Sequence, residues 1–201
     1  MASIDTILER FQNRAKYQAL YAQCLVETPL QKDIPRSRPK APPAPLIPKS
    51  FDELFVARKD LQAGKLTLVR EPIMQNWYEY VNAGFELYQK EHPDQWHPFK
   101  SEMRRALDEK GVSFRQNDYP YQLSEDINSH ILWYRRGFSR QARARVLAGM
   151  FLLEGLELDD FVIYRNPTYK RTVPEFPHDH IFTRRKPDGF TFNTIPTHVE
   201  I

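Results

Sequence analysis

The sequence predicts an α+β fold, in which a helical layer packs on a small, mainly antiparallel sheet and is preceded by an amino-terminal helical arm. Amphipathic segments with helical periodicity dominate the chain up to residue 110. Three runs rich in β-branched and aromatic residues follow, as is typical of strands, at Ile131–Tyr134, Phe161–Arg165 and Ile181–Thr183. The 201 residues, 41% of them hydrophobic, suffice for one domain with a real core.

Residues 1–27 form the predicted arm. Apolar side chains recur on one helical face between Ile4 and Val26, and Ser3 is placed to cap this helix. Residues 28–49 are predicted to be a linker, because they hold seven of the sixteen prolines and proline disfavours both helix and interior strand. The arm is therefore either detached from the body or docked on it by its apolar face.

The α+β domain is predicted over residues 50–185 and begins with three helices. Ser50 caps the first, Pro72 lies in the first turn of the second, and Gly111 ends the third. These helices span Phe51–Ala63, Glu71–Glu91 and Phe99–Lys110, with Leu66–Val69 as a short link or strand after the first.

A polar loop is predicted at residues 115–121, before the first strand of the mixed region. Ser139 then caps an amphipathic helix that runs from Arg140 to about Gly155. The second and third strands follow this helix. Residues 186–201 have little periodicity and are predicted to form a carboxy-terminal tail.

Composition excludes several classes of function. No apolar run approaches the roughly 18 residues of a membrane-spanning helix, and the first residues do not resemble a secretory signal, so we expect a cytoplasmic protein without a membrane partner. The single cysteine, Cys24, excludes an internal disulfide framework. Seven glycines form neither a Walker loop nor a dinucleotide fingerprint, so no nucleotide cofactor is expected. A net charge of +3 is too small to indicate a nucleic-acid partner.

Local basicity is stronger than the net charge. Five arginines fall within residues 135–145, on and before the predicted helix that starts at Arg140. Such a cluster either binds phosphate or carboxylate groups or forms a solvated helix face.

The histidine pair His178 and His180 is the strongest indication of a site. If this segment is a strand, residues i and i+2 share a face and both imidazoles point the same way. Two neutral imidazoles on one face can hold a metal, bind a phosphate or pass protons. A third histidine, His130, immediately precedes another predicted strand.

Three separated motifs resemble a known family. They are Gly64-Lys65-Leu66-Thr67-Leu68-Val69-Arg70-Glu71-Pro72, then Asn117-Asp118-Tyr119-Pro120-Tyr121 with His130-Ile131-Leu132-Trp133, then Ile163-Tyr164-Arg165-Asn166-Pro167 with His178-Asp179-His180-Ile181. In this order and near this spacing they resemble the uncharacterised fungal and viral family named for N-acetylglucosamine-induced protein 1. The resemblance covers about residues 50–185. It implies a cytoplasmic protein linked to an amino-sugar response, and it implies no settled reaction.

The chain departs from the family pattern at several positions. Tyr119 stands where the family has tryptophan, Gln122 where it has glycine, and Pro177 where an acid is usual. If that acid orients a histidine in the family, the site is altered in this chain.

We predict that one cavity gathers the polar residues of these motifs. The candidate catalytic residues are Asp118, His130, Asn166, His178 and His180, and the candidate substrate-binding residues are Tyr119, Tyr121, Trp133 and Arg165. Three imidazoles, from His130, His178 and His180, suit a divalent metal ion with an open coordination position. Without metal, one histidine acts as a general base and another stabilises a developing anion, with Arg165 or the Arg140 region binding phosphate. The alternative role of these histidines is structural, as hydrogen-bonding groups at strand ends.

Two functions stay open at this point. The first is a cytosolic small-molecule-acting protein, an enzyme that uses a His/Asp/Asn pocket for acid–base or metal-assisted chemistry on a small-molecule ligand. The second is a non-catalytic regulatory or protein-interaction module that uses the proline-rich linker and the basic helix. In either case, residues 1–49 offer a surface for a second copy of the chain or for a protein partner.

Overall fold

The structure is a computed structural model that describes residues 14–29 and 37–185. Its helices are α1 (Arg14–Glu27), α2 (Phe51–Gln62), α3 (Pro72–Glu91), α4 (Pro98–Lys110) and α5 (Arg140–Leu153). Its strands are β1 (Ala44–Leu46), β2 (Leu66–Leu68), β3 (Val112–Gln116), β4 (Ile127–Tyr134), β5 (Phe161–Tyr164) and β6 (His178–Arg184). The first part of the predicted arm and the predicted tail lie outside the described residues.

The main sheet has four strands in the order β3-β4-β6-β5, and every neighbouring pair is antiparallel. A separate parallel pair joins β1 to β2. The described elements are thus helices combined with small, mainly antiparallel sheets, and the predicted α+β class is confirmed. Helices cover both faces of the main sheet, where the sequence predicted one helical layer.

One face of the sheet packs against α1 and α5. Leu132 of β4 and Ile181 of β6 join Phe151 of α5 in a single core, to which α1 contributes Leu20 and Cys24. The part of the arm that the structure describes is therefore docked on the body, which is the second of the two alternatives that the sequence left open.

The other face packs against α2 and α4. Leu54 of α2 contacts the cluster around Phe182 of β6, and Met103 of α4 contacts the cluster around Trp133 of β4. Helix α3 lies over the remaining part of this face and has no buried residue. Its outward side is apolar, and the exposed residues there include Ile73, Trp77, Tyr80 and Leu87.

The structure has the helix caps that the sequence predicted. The Ser50 hydroxyl accepts a hydrogen bond from the Glu53 amide, and the Ser139 hydroxyl accepts one from the Ala142 amide. Gly111 ends α4 with a φ of 76°, a left-handed conformation that glycine adopts without a steric cost.

Three local expectations need correction. The predicted polar loop at 115–121 begins within a strand, because β3 pairs with β4 through Gln116. Strand β4 starts at Ile127, so His130 lies inside the strand and not before it. Part of the predicted linker is also strand, because Ala44–Leu46 pairs with β2.

Two of the three arginines of α5 contact other parts of the protein, and Arg145 is exposed. Arg143 is 5% exposed and contacts Asp179 of β6 at 3.2 Å. Arg140 donates hydrogen bonds to the carbonyl oxygens of Leu25 and Thr28, at the end of α1. These two side chains hold α1 and β6 to α5, so they are not available to bind phosphate.

Among the described residues, no helix combines the length and the apolar character needed to cross a membrane.

Candidate functional site

His178 and His180 lie on the same face of β6, as the alternation of side chains along a strand requires. Their ring centroids are 5.4 Å apart. Antiparallel pairing places Trp133 opposite His178 and Ile131 opposite His180, and the rings of Trp133 and His178 have centroids 4.3 Å apart. The two imidazoles therefore form one patch with a tryptophan of the neighbouring strand.

His130 lies on the opposite face of the sheet. It pairs with Ile181, which belongs to the core beneath α5, and its ring stacks on Phe114 at a centroid distance of 5.0 Å. The predicted metal set of His130, His178 and His180 is therefore wrong, because the sheet separates His130 from the pair. Within the described ranges, no group of three or more histidine, cysteine, aspartate or glutamate side chains is arranged to hold a metal ion.

A cavity of about 210 Å³ lies against the histidine pair. Strands β4 and β6 form one wall, and the inward side of α3 forms the wall opposite. The loop that contains residues 117–119 and the segment at 166–173 close two further sides, and residues from the start of α4 complete the lining.

Asn166 determines which nitrogen of His180 carries the proton. Its Nδ2 lies 2.9 Å from Nε2 of His180. An amide nitrogen only donates, so Nε2 of His180 accepts, and the proton of the neutral imidazole is on Nδ1. His180 is 2% exposed and is thus held in one tautomer at the cavity wall.

His178 has the same Nδ1-protonated tautomer, but the engaged nitrogen is Nδ1 and not Nε2. Its Nδ1 lies 2.9 Å from the carbonyl oxygen of Phe176, which only accepts, so Nδ1 of His178 carries the proton. The lone pair of the neutral ring is then on Nε2. The two neighbouring imidazoles consequently differ in function, since one offers an N–H donor and the other a basic nitrogen outside these two hydrogen bonds.

Both imidazoles are neutral near pH 7. Burial lowers the pKa of His180 well below its ordinary value, and repulsion from the protonated form of His178 and from Arg70 lowers it further. Burial also lowers the pKa of His178, although the hydrogen bond to Phe176 acts in the opposite direction. The cavity therefore contains a neutral base rather than two cations.

Positive charge in the cavity comes from other side chains. Its lining includes Arg70, Arg115, Lys170 and Arg171, and Asp118 is the carboxylate among the described lining residues. Asp118 pairs with Arg115 at 3.0 Å. The described lining thus has an excess of cationic groups over anionic ones.

The structure brings most of the predicted site residues together. Those that line the cavity are Asp118, Tyr119, Trp133, Asn166, His178 and His180. Tyr121 is buried just behind them, where its ring lies 5.4 Å from His180 and its hydroxyl lies 3.4 Å from Nδ2 of Asn166.

Arg165 was predicted to bind substrate, and this prediction needs correction. The side chain is 7% exposed and faces the α5 side of the sheet, where its Nε lies 2.6 Å from Asp179. Asp179 also contacts Arg143, and the hydroxyl of Tyr134 accepts hydrogen bonds from both arginines. Arg165 therefore belongs to a buried ion-pair network and not to the cavity.

The sequence did not identify the basic side chains that line the cavity. Arg70 belongs to the first motif, and Lys170 and Arg171 follow the Asn166-Pro167 turn, but charge alone did not separate them from the remaining basic residues. Arg115 was assigned to a polar loop. A basic doublet soon after a predicted strand-end turn was the available signal.

Comparisons with known proteins do not identify this chain. No protein-family model and no curated protein matches it. One solved structure, "Crystal Structure of HTC1", matches with 14% sequence identity and a TM-score of 0.44, over 71% of this chain and 89% of that chain. A likeness at this level shows neither a shared function nor a family.

Proposed function

We propose that this chain acts on a small molecule by acid–base chemistry, with His178 as the general base and His180 as the hydrogen-bond donor to a developing anion. The observation that carries the proposal is that the two imidazoles on the wall of one cavity leave different nitrogens outside these hydrogen bonds: Asn166 engages Nε2 of His180 and leaves its Nδ1–H, whereas Phe176 engages Nδ1 of His178 and leaves its basic Nε2. A proton-transfer reaction needs both an acceptor and a donor, and this pair supplies them.

The base requires an unprotonated nitrogen at physiological pH. Burial lowers the pKa of His178, so its Nε2 is free of a proton near pH 7. Donation from its Nδ1 to the Phe176 carbonyl oxygen orients the ring and supports the positive charge that develops as the base accepts a proton.

The donor requires an N–H in a site of low polarity. The Nδ1 of His180 is buried and has no hydrogen-bond partner among the described residues. A donor of this kind stabilises a negative charge more strongly than it does in water, because little solvent screens it. Asn166 acts as a positioning residue, since it holds the tautomer through Nε2.

Asp118 has a supporting role in this proposal. Its carboxylate is paired at 3.0 Å with Arg115, which also lines the cavity. Tyr119 and Trp133 supply aromatic surface to a bound ligand.

We also propose that the chain is a cytoplasmic member of the N-acetylglucosamine-induced protein 1 family. Residues from all three motifs line the same cavity, with Arg70 from the first, Asp118 from the second and Asn166 from the third. Because the motifs lie far apart in the sequence, the presence of residues from all three around one cavity supports the proposal that they form a shared site.

An untargeted metabolite experiment tests the acid–base proposal. The purified chain is incubated with a cell extract, and mass spectrometry follows which metabolites are retained and which are consumed. We expect His178→Gln to retain the ligand but to slow its consumption by about 100-fold or more. The matched control is His92→Gln, which changes an exposed histidine after α3. The proposal fails if nothing is consumed, or if His178→Gln and His180→Gln consume the ligand as fast as the unchanged protein.

A further inference from the structure

We infer that the cavity contains an oxyanion subsite and that its ligand is a small organic acid, with a carboxylate or phosphate group attached to a flat apolar body. This inference names the ligand class of the site proposed above and rests on that proposal for the reaction, while the binding itself requires no catalysis.

Unpartnered donors carry the inference. Four buried nitrogen atoms of cavity-lining residues have no hydrogen-bond partner within the described part of the chain. They are Nε of Arg115, Nε1 of Trp133, Nη2 of Arg171 and Nδ1 of His180. A buried polar group without a partner is costly, so such groups in folded proteins are nearly always satisfied. Four of them around one cavity indicate that a ligand is the missing partner.

All four of these nitrogen atoms are hydrogen-bond donors when His180 is neutral and protonated on Nδ1. Arginine and tryptophan nitrogens only donate, and Asn166 leaves Nδ1 of His180 as the protonated nitrogen. Trp133 and His180 are 5% and 2% exposed, so bulk water is largely kept from their donors. The ligand must therefore present acceptors, and a carboxylate or phosphate presents several on one small group.

The net charge of the lining agrees with an anion. Lys170 donates to the Thr67 hydroxyl at 2.6 Å, and Nε of Arg171 donates to the Asn166 carbonyl oxygen at 2.9 Å. Neither side chain pairs with a carboxylate among the residues that the structure describes. Burial lowers the pKa of both groups, so a bound anion would stabilise their charged forms. The same charges oppose a bound metal cation.

The rest of the cavity suits an apolar body. The rings of Phe85 and Phe99 are stacked with centroids 5.7 Å apart, and both line the cavity together with Val81, Ile131 and Val173. A volume of about 210 Å³ accommodates one small ring with its acidic group.

A binding experiment with defined probes tests the inference. Isothermal titration of the purified full chain uses benzoate, phenyl phosphate, inorganic phosphate and the neutral analogue benzamide. We expect benzoate or phenyl phosphate to bind at least about tenfold more tightly than benzamide, because hydrogen bonds to a charged acceptor are the stronger ones. The comparison of benzoate with phenyl phosphate decides which oxyanion fits, and inorganic phosphate measures the contribution of the apolar body.

Two substitutions test the named donors. Arg171→Gln removes the charge, and Trp133→Phe removes the N–H while it keeps an aromatic ring, so each should weaken binding of the organic acid about tenfold. Arg105→Gln, on an exposed position of α4, is the matched control and should bind as the unchanged protein does. Circular dichroism confirms that each variant is folded.

The inference is overturned if neither acid binds, if benzamide binds as tightly as benzoate, or if both substitutions leave the affinity unchanged. The acid–base proposal fails separately. A chain that binds the acids in both wild-type and His178→Gln forms, yet consumes no metabolite, keeps the oxyanion subsite and loses the reaction. Consumption of a neutral substrate without binding of these acids would support the reaction and overturn the oxyanion subsite.

Discussion

The side-chain amide of Asn166 lies 2.9 Å from Nε2 of His180, although 13 residues separate the two in the sequence. Asn166 is the second residue after β5, and β5 pairs with β6 through Tyr164 and His180. The antiparallel register therefore brings the amide beside the imidazole. This one contact, made by a residue just after the end of β5, fixes the tautomer of the buried His180.

The first prediction concerns that tautomer. In the wild-type chain, we expect the nitrogen-15 NMR spectrum of His180 to show a protonated Nδ1 and an unprotonated Nε2. Asn166→Ala should produce a mixture of both tautomers and lower the free energy of unfolding by about 1 kcal/mol, the typical net value of one hydrogen bond. Asn76→Ala, at an exposed position of α3, should change neither quantity. A wild-type spectrum with the proton on Nε2 would contradict the proposed assignment of donor and base.

The second prediction concerns stability at acidic pH and depends on His130. Burial lowers its pKa from 6.5 to about 4. The unfolded chain therefore binds a proton at this histidine between pH 6.5 and 4 while the folded chain does not, so acid favours unfolding in this range. The contribution of the neutral His130 to the free energy of unfolding is fully present above pH 6.5. It is lost as the pH falls from 6.5 through 4, by about 3 kcal/mol in total.

Urea denaturation at pH 7 and pH 5 measures this effect. We expect the unchanged protein to lose more stability between these pH values than His130→Leu does, because leucine does not titrate. His92→Gln, at an exposed position, should lose as much as the unchanged protein. His178 and His180 act in the same direction, since burial lowers the pKa of each, and they remain present in all three proteins. Equal losses in the protein and in His130→Leu would contradict the assignment of His130 as a buried neutral histidine.

Local chemistry made much of the fold predictable. Serine caps at Ser50 and Ser139, proline at the start of α3 and glycine at the end of α4 act within a few residues, so the sequence determines them nearly alone. His178 and His180 lie on one face because side chains alternate between the two faces along a strand. Each of these features depends on neighbours in the chain.

The position of His130 was not predictable in that way. Its face relative to His180 depends on the register between β4 and β6, in which Ile131 and not His130 is paired with His180. A shift of this register by one residue would bring His130 to the cavity face. The register results from the whole core packing on both faces, which a local pattern does not contain.

The same distinction explains the basic residues. Arg143 belongs to a conspicuous arginine cluster, yet it is buried and forms a long-range ion pair with Asp179, whereas Lys170 ends a short 3₁₀ helix (Thr168–Lys170) and lines the cavity. Basic residues that are close in the sequence need not be close in space, and a site depends on the groups that are close in space.

The third prediction concerns Asp179, which is fully buried between Arg143 and Arg165. Asp179→Ala leaves two buried guanidinium groups without their carboxylate, so we expect it to lower the free energy of unfolding by about 3–5 kcal/mol. Asp159→Ala, at an exposed position, is the control and should change it by less than about 0.5 kcal/mol. Urea denaturation at pH 7 measures both. A small loss for Asp179→Ala would mean that the network contributes little to stability.

The fourth prediction concerns α3, which forms one wall of the cavity without a single buried residue, whereas eight residues of α5 are buried. Because local opening is easiest where little apolar surface is buried, we expect the backbone amides of α3 to exchange hydrogen faster than those of α5. Hydrogen exchange followed by mass spectrometry measures this difference for peptides from each helix.

A bound organic acid should change that pattern in one place. Tyr78 and Phe85 face the cavity from α3, so a ligand there stabilises the closed helix and should slow exchange in residues 78–85, with no effect on α5. Arg171→Gln serves as the matched variant, because it lies outside α3 and should weaken binding of the ligand, so benzoate should then slow exchange much less. If α3 exchanged as slowly as α5 in the free protein, the helix would be held more firmly than its exposure implies. If benzoate slowed α5 instead of α3, the acid would bind on the other side of the sheet.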